Sequence, residues 1–232
     1  GGSEIILIKY SILGIIQGLT EFLPVSSSAH LLIVKKFLQV AQDGVLVSVV
    51  LHAGTTFALI VYFFKDILNA LRERKTLGNI LIVTVITGAI GISGQRVFER
   101  LFNTLSFIPF SLAATGIILL LTSRWMRSRK DSISSLDAVV LGVCQGIAII
   151  PGISRSGITI AALLARGVER EKSFRFSFLA AIPAVCGAML LEAKNIQGNL
   201  QGEGMSLMVG LLVSAVSGFC ALLLLQRVMK NA

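Results

Sequence analysis

Charge is scarce in this chain. Only 14% of its 232 residues are Asp, Glu, Lys or Arg, against about 25% in soluble domains. With 54% hydrophobic residues and a mean hydropathy of +0.85, the composition excludes an ordinary soluble domain and predicts one helical membrane bundle. Acidic groups are the rarest charges, 12 against 21 basic, which leaves a net charge of +9. The basic residues gather in short connections between apolar runs, the pattern of cytoplasmic loops in membrane proteins. No platform of interleaved aromatic and basic residues is present, so nucleic acid is not an expected partner. The three cysteines, Cys144, Cys186 and Cys220, all sit in apolar segments, which excludes a disulfide framework and a cysteine metal site. No cleavable leader pattern is evident, and Gly1-Gly2-Ser3 reads as a cloning remnant.

Prolines number only four, and two of them interrupt apolar sequence at related places. The first polar interruption runs from Gln17 through Glu21, Pro24, Ser26, Ser27 and Ser28 to His30. The second runs from Gln145 through Pro151, Gly152, Ser154, Arg155 and Ser156 to Gly157. Similar apolar leads precede both, Ile12 to Ile16 and Val140 to Cys144. Aligning the prolines places Ser27 opposite Ser154. Ionisable side chains at membrane depth are too costly to be filler, so the repeat predicts one site built from two halves.

Five runs are long enough to span: Val45 to Phe64, Leu77 to Gly94, Phe107 to Ser123, Phe174 to Leu191 and Met205 to Gln226. The two motif regions instead read as helix, break and half-helix, which predicts re-entrant hairpins at 5–40 and 136–166. The predicted organisation is a first repeat over 4–131, with a hairpin and three spans, and a second over 132–232, with a hairpin and two. A sixth span is expected by symmetry beyond Lys230. The connections Lys65 to Lys75, Arg124 to Lys130 and Arg166 to Arg175 are placed inside as loops, with Glu169, Glu171 and Lys172 solvated. Three spans separate the hairpins, so the repeats are inverted and the hairpin tips are expected to meet near the midplane. Lys35 and Lys36 fall outside in this arrangement, against the charge rule.

The motif inventory suits phosphoryl transfer. Ser27 or His30 would be the nucleophile, and Glu21 or His30 the acid or base. Arg155 supplies a forked, permanent charge matched to phosphate. Ser26, Ser28, Ser154, Ser156, Gly157 and Thr159 are the candidate phosphate-binding positions, because hydroxyls and amides at helix starts bind anions. Glu21 and Gln17, four residues apart, share a helix face and form a candidate divalent-cation pair that substrate oxygens would complete. His52 reads as packed or as a neighbour of the site. Gln145, with no acid matching Glu21, reads as structural or as a hydrogen-bonder to the tip.

The stretches Gln17 to His30 and Pro151 to Thr159 resemble the two signature motifs of the undecaprenyl-diphosphate phosphatase, or bacitracin-resistance, family. Leu51 to Leu59 and Phe176 to Ala184 extend the resemblance over nearly the whole chain. It implies an all-α integral membrane enzyme with inverted repeats that removes the terminal phosphate of a C55 polyprenyl diphosphate for peptidoglycan synthesis. It further implies dependence on a divalent cation, Mg²⁺ or Ca²⁺, membrane lipids as surroundings, and a site open to the outer side of the bacterial plasma membrane. Family roles carry over to Glu21, Ser27, His30, Arg155 and Thr159, with Ser154 beside them. Gln17 occupies the family's acid-or-amide position, and a homodimer is compatible with the resemblance. The alternative function is a transporter or flippase for a phosphorylated isoprenoid lipid, since inverted repeats and broken helices also mark secondary transporters.

Overall fold

The computed structural model describes residues 2–40, 45–122, 130–194 and 204–231. Among them every regular element is helical apart from one isolated bridge between Lys130 and Val168. Ten helices follow in order: α1 Gly2–Phe22, α2 Ser27–Phe37, α3 Val45–Tyr62, α4 Phe64–Arg72, α5 Arg74–Phe102, α6 Ile108–Thr122, α7 Ser135–Ile147, α8 Arg155–Ala165, α9 Arg170–Ala193 and α10 Gly204–Asn231. Six of these regions are long and apolar enough to cross a bilayer: α1, α3, α5, α9, α10, and α6 with the 3₁₀ turn before it. The protein is therefore multi-pass. The sixth candidate beyond the five expected runs is α1, which the sequence reading assigns to the first hairpin.

Two connections expected as loops are partly helical. Lys65 to Arg72 lies within α4, whose Asp66 accepts two bonds from Arg175 of α9, at 2.8 and 2.9 Å. Glu171 and Lys172 belong to the first turn of α9, where Glu171 pairs with Arg175 at 2.9 Å and Lys172 donates to the Asp131 carbonyl. Paired charges of this kind let a helix begin at the polar margin, where periodicity alone gives little signal. The Arg124 to Arg129 stretch lies outside the described residues.

The packing of the two halves is reciprocal. Helix α1 lies on α10 and α7 lies on α5, while α3 packs on α10 and α9 on α5. Hydroxyls and small residues set the register. Ser217 of α10 donates to the Gly14 carbonyl at 3.2 Å, and Ser214 donates to the Leu51 carbonyl at 3.0 Å. At Gly54 a β-carbon would stand 2.1 Å from Ser214 Oγ, so α3 can approach α10 this closely only without a side chain there. Helix α10 thus fixes both α1 and α3, and with them the faces carrying Gln17, Glu21 and His52. A cluster of Phe22, Phe63, Phe174 and Phe178 fills the core between α1, α9 and α10. Large apolar side chains on the outside, such as Val85, Ile92, Phe110 and Leu120, suit contact with lipid.

The mouth of the α7–α8 pair is closed by one buried carboxylate. Asp137 accepts from Arg166 Nε at 2.7 Å and Lys130 Nζ at 3.3 Å, and shares a reciprocal cap with Ser134. Burial alone would raise its carboxyl, but Ser134, Arg166 and Lys130 outweigh that and hold it at about 2. Backbone bonds from Lys130 to Gly167 and from Glu169 to Lys130 tie the same two chain ends together.

Candidate active site

Each polar interruption ends one helix and starts another. After α1, Pro24 and a tight turn bring the chain to Ser26, which carries φ 66° and ψ 99°. A side chain with positive φ costs about 1–3 kcal/mol and persists only where its surroundings hold it. Three contacts hold this one. Ser26 Oγ accepts from the Gly152 amide at 3.1 Å, Ser26 Oγ lies 3.2 Å from Ser28 Oγ, and the Ser26 carbonyl accepts from His30 Nδ1 at 2.8 Å. Its hydroxyl is thereby taken to the other tip, and the start of α2 has no side-chain cap.

The second interruption is relaxed where the first is strained. Gly152 supplies φ 95°, and a β-carbon there would fall 1.9 Å from Ser111 Oγ. Helix α6 pins this tip: Ser111 donates to the Pro151 carbonyl at 2.7 Å, and Thr115 donates to the Gly152 carbonyl at 3.0 Å and accepts from the Ser154 amide at 3.1 Å. Ser154 caps α8 by accepting from the Gly157 amide at 3.2 Å. Ser26 and Ser154 are therefore the structural equivalents, each the residue before its half-helix. Aligning the prolines instead sets Ser154 against Ser27, because two residues rather than one separate Pro151 from its cap.

The tips meet at Glu21. Its Oε2 accepts from Ser27 Oγ at 2.6 Å and from Gln17 Nε2 at 3.0 Å. Its Oε1 accepts from Arg155 Nη2 at 2.5 Å. Side-chain exposure is 8% for Glu21 and 17% for Arg155, so this is a largely desolvated charge pair with supporting hydrogen bonds. Gln17, Glu21, Ser27 and Arg155 thus form one connected group, while Ser26, Ser28 and His30 bond to one another and, through Ser26, to the Gly152 amide.

The other expected phosphate-binding positions lie deeper. Ser154 Oγ is 3.3 Å from Ser156 Oγ, and Ser156 donates to the Leu23 carbonyl at 3.3 Å. Thr159 donates to the Arg155 carbonyl at 2.7 Å and lies 2.6 Å from Ser177 Oγ of α9. These groups brace Arg155 and the tip in the structure as it stands. Gln145 donates to Thr87 of α5 at 3.2 Å and not to the tip.

His52 is the neighbour that its sequence context left unresolved. Its Nδ1 lies 2.9 Å from Gln17 Nε2 and 3.6 Å from Glu21 Oε2. A lone histidine on an apolar helix carries no periodic signal, and only the α3–α10 register brings it here.

Two buried atoms of this group have no hydrogen-bond partner among the described residues: Gln17 Oε1, an acceptor, and Arg155 Nη1, a donor. One suits a cation and the other an anion. No cluster of three or more His, Cys, Asp or Glu able to hold a metal occurs among the described residues. Any cation here would therefore need oxygens from a ligand besides Glu21 and Gln17. Close to the tips, an apolar cavity of about 180 Å³ is lined by Phe22, Pro24, Gly157, Ile160 and Leu225.

Comparison with known proteins gives a concordant result. Residues 10–232 match the family model described as bacitracin resistance protein BacA. A protein from Carboxydothermus hydrogenoformans named undecaprenyl-diphosphatase is 39% identical over 228 residues, covering 95% of this chain and 87% of its own. Proteins of the same name from Halothermothrix orenii and Syntrophotalea carbinolica are 37% and 40% identical. These alignments cover 97% and 95% of this chain, and 90% and 89% of the relatives.

Proposed function

This chain belongs to the bacitracin resistance protein BacA family, and on that premise we propose that it is an undecaprenyl-diphosphatase. It removes the terminal phosphate of undecaprenyl diphosphate and returns undecaprenyl phosphate to the carrier-lipid pool of cell-wall synthesis. The observation that carries this reading at the level of residues is the Glu21 carboxylate, which holds Ser27 Oγ at 2.6 Å and Arg155 Nη2 at 2.5 Å from opposite tips. A base already sits on the hydroxyl, and a phosphate-matched cation stands beside it.

In the proposed reaction Glu21 takes the Ser27 proton as Ser27 Oγ attacks the terminal phosphorus. The bond from that phosphorus to the bridging oxygen breaks, and undecaprenyl phosphate leaves with the electron pair. Water then attacks the phosphoserine, releasing phosphate and restoring Ser27. Arg155 turns its unpartnered Nη1 to the transferring oxygens. The uncapped first turn of α2 adds amides near Ser27 and Ser28. His30 donates Nδ1–H to a carbonyl, so in the neutral ring Nε2 keeps its lone pair and can take the water's proton. His30 is also the competing nucleophile. The geometry favours Ser27, whose hydroxyl already has its base.

Gln17 Oε1 and Glu21 fit a divalent cation, Mg²⁺ or Ca²⁺, provided diphosphate oxygens fill the remaining positions. Such an ion, when bound, would offset charge on the transferring phosphate. The apolar cavity beside Pro24 and Gly157 is the proposed seat for the first part of the isoprenoid tail. In the membrane, α1–α2 and α7–α8 act as inverted re-entrant hairpins, and the basic connections lie inside. The site then opens to the outer face of the bacterial plasma membrane.

The test is phosphate release from C55 polyprenyl diphosphate by the purified protein in detergent, with Mg²⁺ or Ca²⁺ and then with chelator. Chelator-sensitive release supports the reading. Absence of release from folded protein overturns it.

A further inference from the structure

We propose that His52 is a positioning residue that turns the Gln17 side chain so that its carbonyl oxygen faces the reaction centre. The inference rests on the reading of Gln17 and Glu21 as a cation pair, and assigns the reason why an amide can serve there.

One terminal atom of Gln17 lies 3.0 Å from Glu21 Oε2 and 2.9 Å from His52 Nδ1. An ionised carboxylate only accepts hydrogen bonds, so that atom is the amide nitrogen. An NH₂ group has two protons. One goes to Glu21 and the other to His52, whose Nδ1 must then be the unprotonated nitrogen of a neutral ring. With both protons committed, the amide cannot flip without setting an oxygen against the carboxylate. Gln17 Oε1 is left buried and unpartnered. A buried acceptor without a donor costs about 1–3 kcal/mol, which a ligand cation would recover.

His52 is held for this task by its own helix. Ser214 of α10 bonds the Leu51 carbonyl, Gly54 packs directly on α10, and Thr55 donates to the His52 carbonyl at 3.1 Å. Glu21 alone would fix one amide proton and leave the other unmatched. His52 supplies the second anchor from a separate helix, so the amide plane is fixed by two directions rather than one.

The test is Mn²⁺ binding to the purified full chain in detergent with methylenediphosphonate supplying the diphosphate oxygens, followed by electron paramagnetic resonance of the unbound ion against a protein-free blank, with metal-activation constants for phosphate release measured alongside. His52→Leu keeps volume but has no acceptor. It should weaken Mn²⁺ binding about tenfold and raise the activating metal concentration in step, with a smaller change in kcat at saturating metal. His52→Asn places an amide oxygen near the Nδ1 position and should bind Mn²⁺ within about twofold of the parent chain. Gln17→Leu should weaken binding at least as much as His52→Leu, and the double variant should be no weaker than Gln17→Leu alone. Parent-like Mn²⁺ binding in His52→Leu, with Gln17→Leu impaired, overturns the role of His52 and leaves the cation pair standing. Parent-like binding in Gln17→Leu overturns both. Equal losses in His52→Asn and His52→Leu also overturn the proposal, since a purely structural histidine would give that result.

Discussion

Arg155 Nη2 stands 2.5 Å from Glu21 Oε1, although the two residues belong to different halves of the chain. Among the described residues, the contact joins the only carboxylate at the tips to the one guanidinium there. In the proposed reaction a substrate phosphate competes with Glu21 for the arginine. Arg155→Ala should lower kcat/KM for phosphate release by roughly a hundredfold or more, since it removes charge aimed at the transferring group. It also strands a buried carboxylate, so Tm should fall. Adding Glu21→Gln should restore Tm without restoring turnover. Arg155→Lys should remain poorly active, because a single ammonium cannot reproduce two separately aimed donors.

Ser26 combines positive φ with a bond to the opposite tip. Ser26→Ala loses the bond and keeps the strain. Ser26→Gly loses the bond and relieves the strain. The glycine variant should therefore be the more stable by about 1 kcal/mol, read as a higher Tm in detergent.

Gly152 is the counterpart case, where strain is avoided by composition. Gly152→Ala places a methyl group against Ser111 Oγ and forces φ 95° on a residue with a side chain. A loss of more than about 2 kcal/mol is expected. Turnover should fall with it, since the tip carries Arg155. Ser111→Ala in the same chain should recover part of the stability by removing the 1.9 Å contact, with Ser111 Cβ still 2.8 Å from the added methyl group.

Asp137 closes the mouth of the second hairpin. Its carboxyl sits at about 2, below the ordinary 3.8. Its stabilising contribution is therefore complete above about pH 4 and is lost as pH falls toward 2. Asp137→Asn should lower stability near neutrality by roughly 2 kcal/mol and flatten the acid limb of a Tm against pH curve over that window.

The helices and the chain breaks were largely legible in the sequence. Long apolar runs have few ways to satisfy their backbone in a bilayer, and Pro24 and Pro151 mark where those runs stop. Glu21, Ser27 and Arg155 stood out in the sequence by residue type. That the two tips meet was expected from the repeat, but the particular bonds joining them were not legible, because they depend on how two distant hairpins are held by α6 and α10. The equivalence of Ser26 and Ser154 was obscured by the prolines, which sit at different distances from their caps. Gln17 and Gln145 each precede their cap by the same number of residues and would have given the correct register. His52 lacked any local signal, since the features that place it are Gly54 and Ser214 on another contact surface. Helix α4 and the start of α9 were missed because ion pairs such as Asp66 with Arg175 support helix in stretches whose composition reads as loop.

The most direct test of the account is the rate of phosphate release from C55 polyprenyl diphosphate by Ser27→Ala, compared with the parent chain at matched Tm and saturating divalent cation. The account predicts a loss of at least about a thousandfold, as expected when an attacking group is removed from its base. Turnover within a few-fold of the parent in a folded Ser27→Ala protein would contradict it and transfer the attacking role to His30.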